Sequence, residues 1–133
     1  MTRYTPWGEQ LALGRHLLIE LHDCSWSALD DVNLIRDTLV EAAHRLNSTV
    51  LDVATHKFDP IGVTAFVMIS ESHLSIHTWP EHGYAALDIF TCSQRMEPAD
   101  VVGLISARLE AGHVETVEVN RGILHLVRAG RPG

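Results

Sequence analysis

Basic residues, cysteines and long apolar runs are all scarce in this chain. Ten Lys+Arg stand against 17 Asp+Glu in 133 residues, a formal net charge of −7. That balance argues against nucleic acid or an anionic membrane surface as partner and leaves a small molecule as the expected ligand. The only two cysteines, Cys24 and Cys92, lie far apart without CxxC spacing, so neither a zinc knuckle nor a disulfide framework is indicated, and two free thiols are expected. No apolar run approaches the roughly 18 residues of a membrane span, and Met1 to Gln10 has no signal-like apolar core; a cytoplasmic protein is the expectation. HExxH and G-x-S-x-G are absent, as are internal repeats and low-complexity segments.

What is present suffices for one domain over residues 1–133, since 46% of residues are apolar. Residues 1–13 hold Pro6 and Gly8 without a sustained period and read as a loose lead-in. From Gly14 to Asp23, Leu17, Ile19 and Leu21 share one side of a half-buried strand. Ser25 or Ser27 then caps one helix carrying Leu29, Val32, Ile35, Leu39, Ala42 and Leu46, which ends at Asn47-Ser48. Thr49 to Lys57 reads as a strand, Asp59-Pro60-Ile61-Gly62 as a turn, and Val63 to Ile69 as the most β-prone run. Tyr84 to Cys92 alternates like another strand. Pro98 opens a second helix with Val101, Val102, Leu104, Ile105 and Leu109, for which Gly112 suits the C′ position. His113 to Val119 closes the sheet, and a frayed tail is expected from Arg128.

The order β-α-β-β-β-β-α-β implies an α+β fold: a two-layer sandwich of a mainly antiparallel sheet with two helices on one face. Val63, Ala65, Val67, Ile69, Ala85, Leu87 and Ile89 suit the helix side. The opposite parity carries Thr64, Phe66, Met68, Tyr84, Ala86, Asp88, Phe90 and Cys92, too apolar a set for water. A second protomer covering it sheet to sheet gives a four-layer αββα homodimer.

Ser70 to Glu81 gathers three serines, two histidines and two glutamates between apolar runs, a poor recipe for a core strand and a good one for chemistry. Three readings of the residues compete. Ser72, His73 and His77 as fillers of a polar edge strand would be the better explanation for a lone His or Ser, but clustering weakens it. A metal site from His56, His73, His77 and His82 has no motif behind it. Nucleophilic attack by Ser72 or Cys92 with His77 as base lacks a nucleophile elbow.

Glu71-Ser72-His73-Leu74-Ser75-Ile76-His77-Thr78-Trp79-Pro80-Glu81, followed by Gly83-Tyr84-Ala85-Ala86 and Asp88-Ile89-Phe90-Thr91-Cys92, resembles the prokaryotic short form of S-adenosylmethionine decarboxylase proenzymes. Gly14-Arg15-His16-Leu17, His56-Lys57-Phe58 with Pro60, and Gly62-Val63-Thr64 resemble the same family in the same order, so the similarity runs from about Gly14 to Gly122. The resemblance implies a pyruvoyl enzyme of spermidine synthesis, with neither pyridoxal phosphate nor a metal. Ser72 would attack the Glu71 carbonyl, and ester formation, elimination and hydrolysis would leave chains 1–71 and 72–133, the second beginning with a pyruvoyl group.

His77 matches the family's processing base and Thr64 its hydroxyl helper. The pyruvoyl ketone would form a Schiff base with the substrate amine and accept electrons as CO₂ leaves. Cys92 matches the proton donor; Phe58 matches an aromatic that stacks on adenine, and Glu81 would bind ribose hydroxyls. The implied partners are S-adenosylmethionine and a second cleaved protomer. Two alternatives remain beside it: the same chemistry on arginine or ornithine, and an unprocessed binding or regulatory paralogue.

Overall fold

The computed structural model describes residues 2–5, 8–70, 72–92 and 97–123. Glu71, on the expected cleavage bond, and the tail expected to fray from Arg128 lie outside these. In chain order the elements are β1 (Thr2–Thr5), β2 (Gly8–His22), α1 (Trp26–Leu29), α2 (Val32–Arg45), β3 (Val50–Lys57), β4 (Val63–Ile69), β5 (Ser72–Trp79), a 3₁₀ turn (Pro80–His82), β6 (Tyr84–Thr91), α3 (Pro98–Arg108) and β7 (His113–Ile123). Every strand pairing is antiparallel, and the main sheet runs β7-β2-β6-β5-β4-β3. β1 pairs with the start of β2 from Thr2↔Leu11 to Thr5↔Gly8, so much of the expected lead-in is a hairpin instead.

Parity decides the rest. Leu17, Ile19 and Leu21 of β2, Val63, Ala65, Val67 and Ile69 of β4, Leu74 and Ile76 of β5, and Ala85, Leu87 and Ile89 of β6 are all buried on one face of the sheet. They meet Ile35, Leu39, Ala42 and Ala43 of α2 and Val101, Ile105 and Leu109 of α3 in one hydrophobic core. Removing about 25 cal/mol per Å² of apolar surface from water makes this face the main stabilising layer. Among the described residues no helix covers the opposite face. Phe66 and Met68 stay 38% and 44% exposed there, as their alternation with buried neighbours requires.

Two sequence expectations and one competing reading give way. The first helix is two: Asp30 ends the short α1, and Asp31 caps α2 by accepting from the N–H groups of Asn33 and Leu34 at 3.1 and 3.0 Å. The C′ position after α3 belongs to Glu110, at φ 55°, rather than Gly112. Most telling, the polar stretch is no edge. β5 lies between β4 and β6: His73, Ser75 and His77 share the parity of the uncovered face, while Leu74, Ile76 and Thr78 enter the core.

Candidate active site

Strand pairing sets the geometry. Ile69 and Ser72 are register partners across the β4–β5 hairpin, so only Ser70 and Glu71 separate the two strands. Ser72 therefore opens β5 at the mouth of a tight hairpin, half-buried, with a φ of 152° that an L-residue rarely adopts. Its register partner on the other side is Thr91, and Cys92 follows, exposed, as the chain leaves β6. Ser72 and Cys92 thus lie at one end of the sheet.

Thr64 and His77 are register partners at the other end, and the Thr64 hydroxyl lies 3.0 Å from His77 Nδ1. Both line a cleft of about 440 Å³ with Phe58, Asp59, Trp79 and Glu81 among its walls. Four sequence-derived site residues, Phe58, Thr64, His77 and Glu81, therefore converge on one cavity. The loop that carries Phe58 is tied down at both ends. Gly62 N–H donates to Asp30 Oδ1 at 2.8 Å, Phe58 N–H donates to the Gly62 carbonyl at 2.8 Å, and the Lys57 ammonium bridges Asp30 Oδ1 at 2.9 Å and the Phe58 carbonyl at 2.8 Å. The Gly62 hydrogen bond and the Lys57 charge hold the Asp30 carboxyl below its ordinary pKa. Inside the sheet, the Thr78 hydroxyl accepts from Val63 N–H at 2.9 Å and donates to the Leu29 carbonyl at 2.8 Å, locking β4 and β5 to α1.

Ser72 and His77 do not meet within one chain. They are five positions apart on β5, about 16 Å at roughly 3.3 Å per residue, and of opposite parity. A Ser-His hydrolase pair is thus not assembled in this protomer. The histidines of the competing metal reading also stay apart. His73 and His77 do share the uncovered face, yet among the described residues the one group close enough to share an ion is His16, His73 and Asp88.

That group was not foreseen, and it has a different logic. Asp88 Oδ2 lies 2.6 Å from His16 Nε2 and 3.1 Å from His73 Nε2, while the Ser75 hydroxyl donates to Oδ1. Arg121 Nη1 faces His16 Nδ1 at 3.2 Å. A guanidinium only donates, so Nδ1 accepts, and the His16 proton sits on Nε2, directed at Asp88. A metal-bound imidazole normally donates its second N–H to an acceptor, the reverse of this arrangement. The residues fit a proton-filled hydrogen-bond network better than a cation site. Burial pushes the Asp88 carboxyl up, but hydrogen bonds from Ser75, His16 and His73 outweigh it and leave the pKa below the ordinary value. The sequence signal for this cluster was a single acid among the apolar residues of β6.

The two thiols differ. Burial, with help from the Asp23 charge, pushes Cys24 up to about 11, so it stays protonated, whereas Cys92 is exposed beside the Ser72 hairpin.

Residues 15–122 match the S-adenosylmethionine decarboxylase family. An S-adenosylmethionine decarboxylase proenzyme of Caldanaerobacter subterraneus subsp. tengcongensis is 51% identical over 112 residues, covering 84% of this chain and 90% of that one. Its counterpart in Caldicellulosiruptor saccharolyticus is 49% identical over the same shares. The crystal structure of the adenosylmethionine decarboxylase from Aquifex aeolicus VF5 superposes with a TM-score of 0.78 at 34% identity, over 85% of this chain and 93% of that one. The motifs, the fold and the sequence relatives agree: the chain belongs to the S-adenosylmethionine decarboxylase family.

Proposed function

We propose that the chain is a self-processing, pyruvoyl-dependent decarboxylase that converts S-adenosylmethionine to decarboxylated S-adenosylmethionine and CO₂ for spermidine synthesis. The observation that carries this is the cleft that joins Phe58 and Glu81 to the hydrogen-bonded pair Thr64–His77. Ser72 suits conversion to a pyruvoyl group, because it stands at a hairpin mouth in a backbone conformation that favours reaction over rest. Once formed, that ketone supplies an electron sink for the departing carboxylate.

His77 and Thr64 work as a unit. With the imidazole proton on Nδ1, His77 donates to the Thr64 oxygen, which frees Nε2 to take a proton and turns the Thr64 O–H toward an oxyanion. Cys92 returns a proton to the carbon that loses CO₂. Phe58 stacks on the adenine and Glu81 accepts from ribose hydroxyls, both lining one cleft.

The separation of Ser72 from His77 supports a homodimer of cleaved protomers. A two-fold axis between the uncovered faces, passing near Ser75 and Asp88 midway along β5 and β6, would bring Ser72 and Cys92 of one protomer to Thr64 and His77 of its partner. Such a dimer has two sites, each drawing on both chains, and it covers the exposed Phe66 and Met68. No helix among the described residues is long and apolar enough to cross a membrane. The two unpaired cysteines support a cytoplasmic location.

The substrate is tested by a side-by-side assay. Carboxyl-labelled S-adenosylmethionine should release labelled CO₂, and labelled arginine and ornithine should release little. The opposite preference keeps the pyruvoyl chemistry and overturns the substrate.

A further inference from the structure

Beside Cys92 lies a second, smaller cleft of about 190 Å³, walled by Leu13, Gly14, Phe90, Cys92, Arg121 and Gly122. Its place follows from the pairing: Gly14 faces Arg121 across β2 and β7, while Phe90 closes the floor so tightly that a Cβ on Gly14 would sit 2.5 Å from its ring. The walls are apolar, and Cys92 and Arg121 are the lining residues that carry a polar group. Arg121 lies 5.5 Å above the Phe90 ring and spends one nitrogen on His16 Nδ1. Among the described residues it pairs with no carboxylate. An arginine fixed by a ring and an imidazole, with donors left over beside an apolar cleft, is suited to a planar anion.

We infer that Arg121 binds the α-carboxylate of the substrate; this rests on Cys92 being the proton donor. The carboxylate leaves from the same carbon that Cys92 then protonates, so the group that holds the one and the group that supplies the other must lie within a few ångströms of that carbon. Arg121 and Cys92 line the same small cleft, the juxtaposition this condition calls for. The charge logic makes Arg121 a binding residue. It favours the anionic ground state over a transition state whose carboxylate is becoming neutral CO₂, so it lowers KM without raising kcat.

The test is a comparison of two affinities on the processed holoenzyme. Arg121→Gln should raise KM for S-adenosylmethionine about 10- to 100-fold, the range for losing a charge-assisted hydrogen-bonded pair, while kcat holds or rises. Inhibition by the product, which lacks the carboxylate, should be unchanged. If KM and the product inhibition constant move together, Arg121 merely supports His16, and if neither moves it has no part in recognition; either result overturns the inference. Should the variant fail to fold, wild-type enzyme is challenged with the carboxyl methyl ester of S-adenosylmethionine. Binding weaker than that of substrate by the same factor supports the carboxylate site, and equal binding overturns it. Wild-type turnover, measured first, bears on the enzyme reading, and only the ratio of the two affinities bears on Arg121.

Discussion

Ser72 and His77 occupy the same strand, five positions apart and on opposite parities, so the proposed nucleophile and the proposed processing base are separated by the strand itself. A composite site makes this separation useful. His77→Ala alone should stay uncleaved, and Ser72→Ala should stay uncleaved. Co-expressed, the His77→Ala chain should be cut, because the Ser72→Ala partner supplies His77. Mixed dimers shown by mass to have formed, yet holding only uncut chains, would place processing within one protomer.

Assembly and processing should then fail together. Phe66→Asp or Met68→Asp buries a carboxylate without a partner in the proposed seam, and leaving such a charge unpaired costs about 3–5 kcal/mol. Sedimentation should show monomer, and gel analysis should show the uncut chain. A soluble monomer that still cleaves itself contradicts the sheet-to-sheet dimer.

Much of this was legible in the chain because the sheet alternates so regularly. The inner-face assignments for β4 and β6, from Val63 to Ile89, match the buried set residue by residue. The family motif also singled out Thr64 and His77, which the fold makes register partners. What parity could not reveal was which strand neighbours which. The Ser70–Glu81 stretch looked unlike a core strand because its composition was judged as a whole, whereas the two faces of β5 within it meet opposite environments. The Asp88 cluster and Arg121 were invisible for the same reason: His16 and Asp88 are 72 residues apart and Arg121 a further 33, and only the β2 pairings with β6 and β7 unite them.

Turnover should separate from processing at Cys92. Cys92→Ala should be fully cleaved but decarboxylate about 10²–10⁴-fold more slowly, the usual loss for a general acid. Full activity in the processed variant would remove Cys92 from its role.

Acid should weaken the Asp88 network. The folded carboxyl titrates below its unfolded value of about 3.9, so the folded state binds protons less readily there. Its stabilising contribution is complete above the unfolded value and is lost as pH falls through the folded one. Asp88→Asn should therefore lower Tm at pH 7 and shrink the stability drop between about pH 4 and pH 2. An unchanged acid slope in that variant, followed by thermal unfolding across the range, would mean the network holds no such charge.

Formation of the prosthetic group is the central claim, and the intact mass of the purified protein tests it most directly. Two fragments, 1–71 and 72–133, are expected, the second blocked to Edman degradation and reducible by borohydride because it begins with a ketone, while Ser72→Ala remains one chain. Wild-type protein that keeps its full single-chain mass after long incubation would contradict the account and leave a binding paralogue that retains the fold.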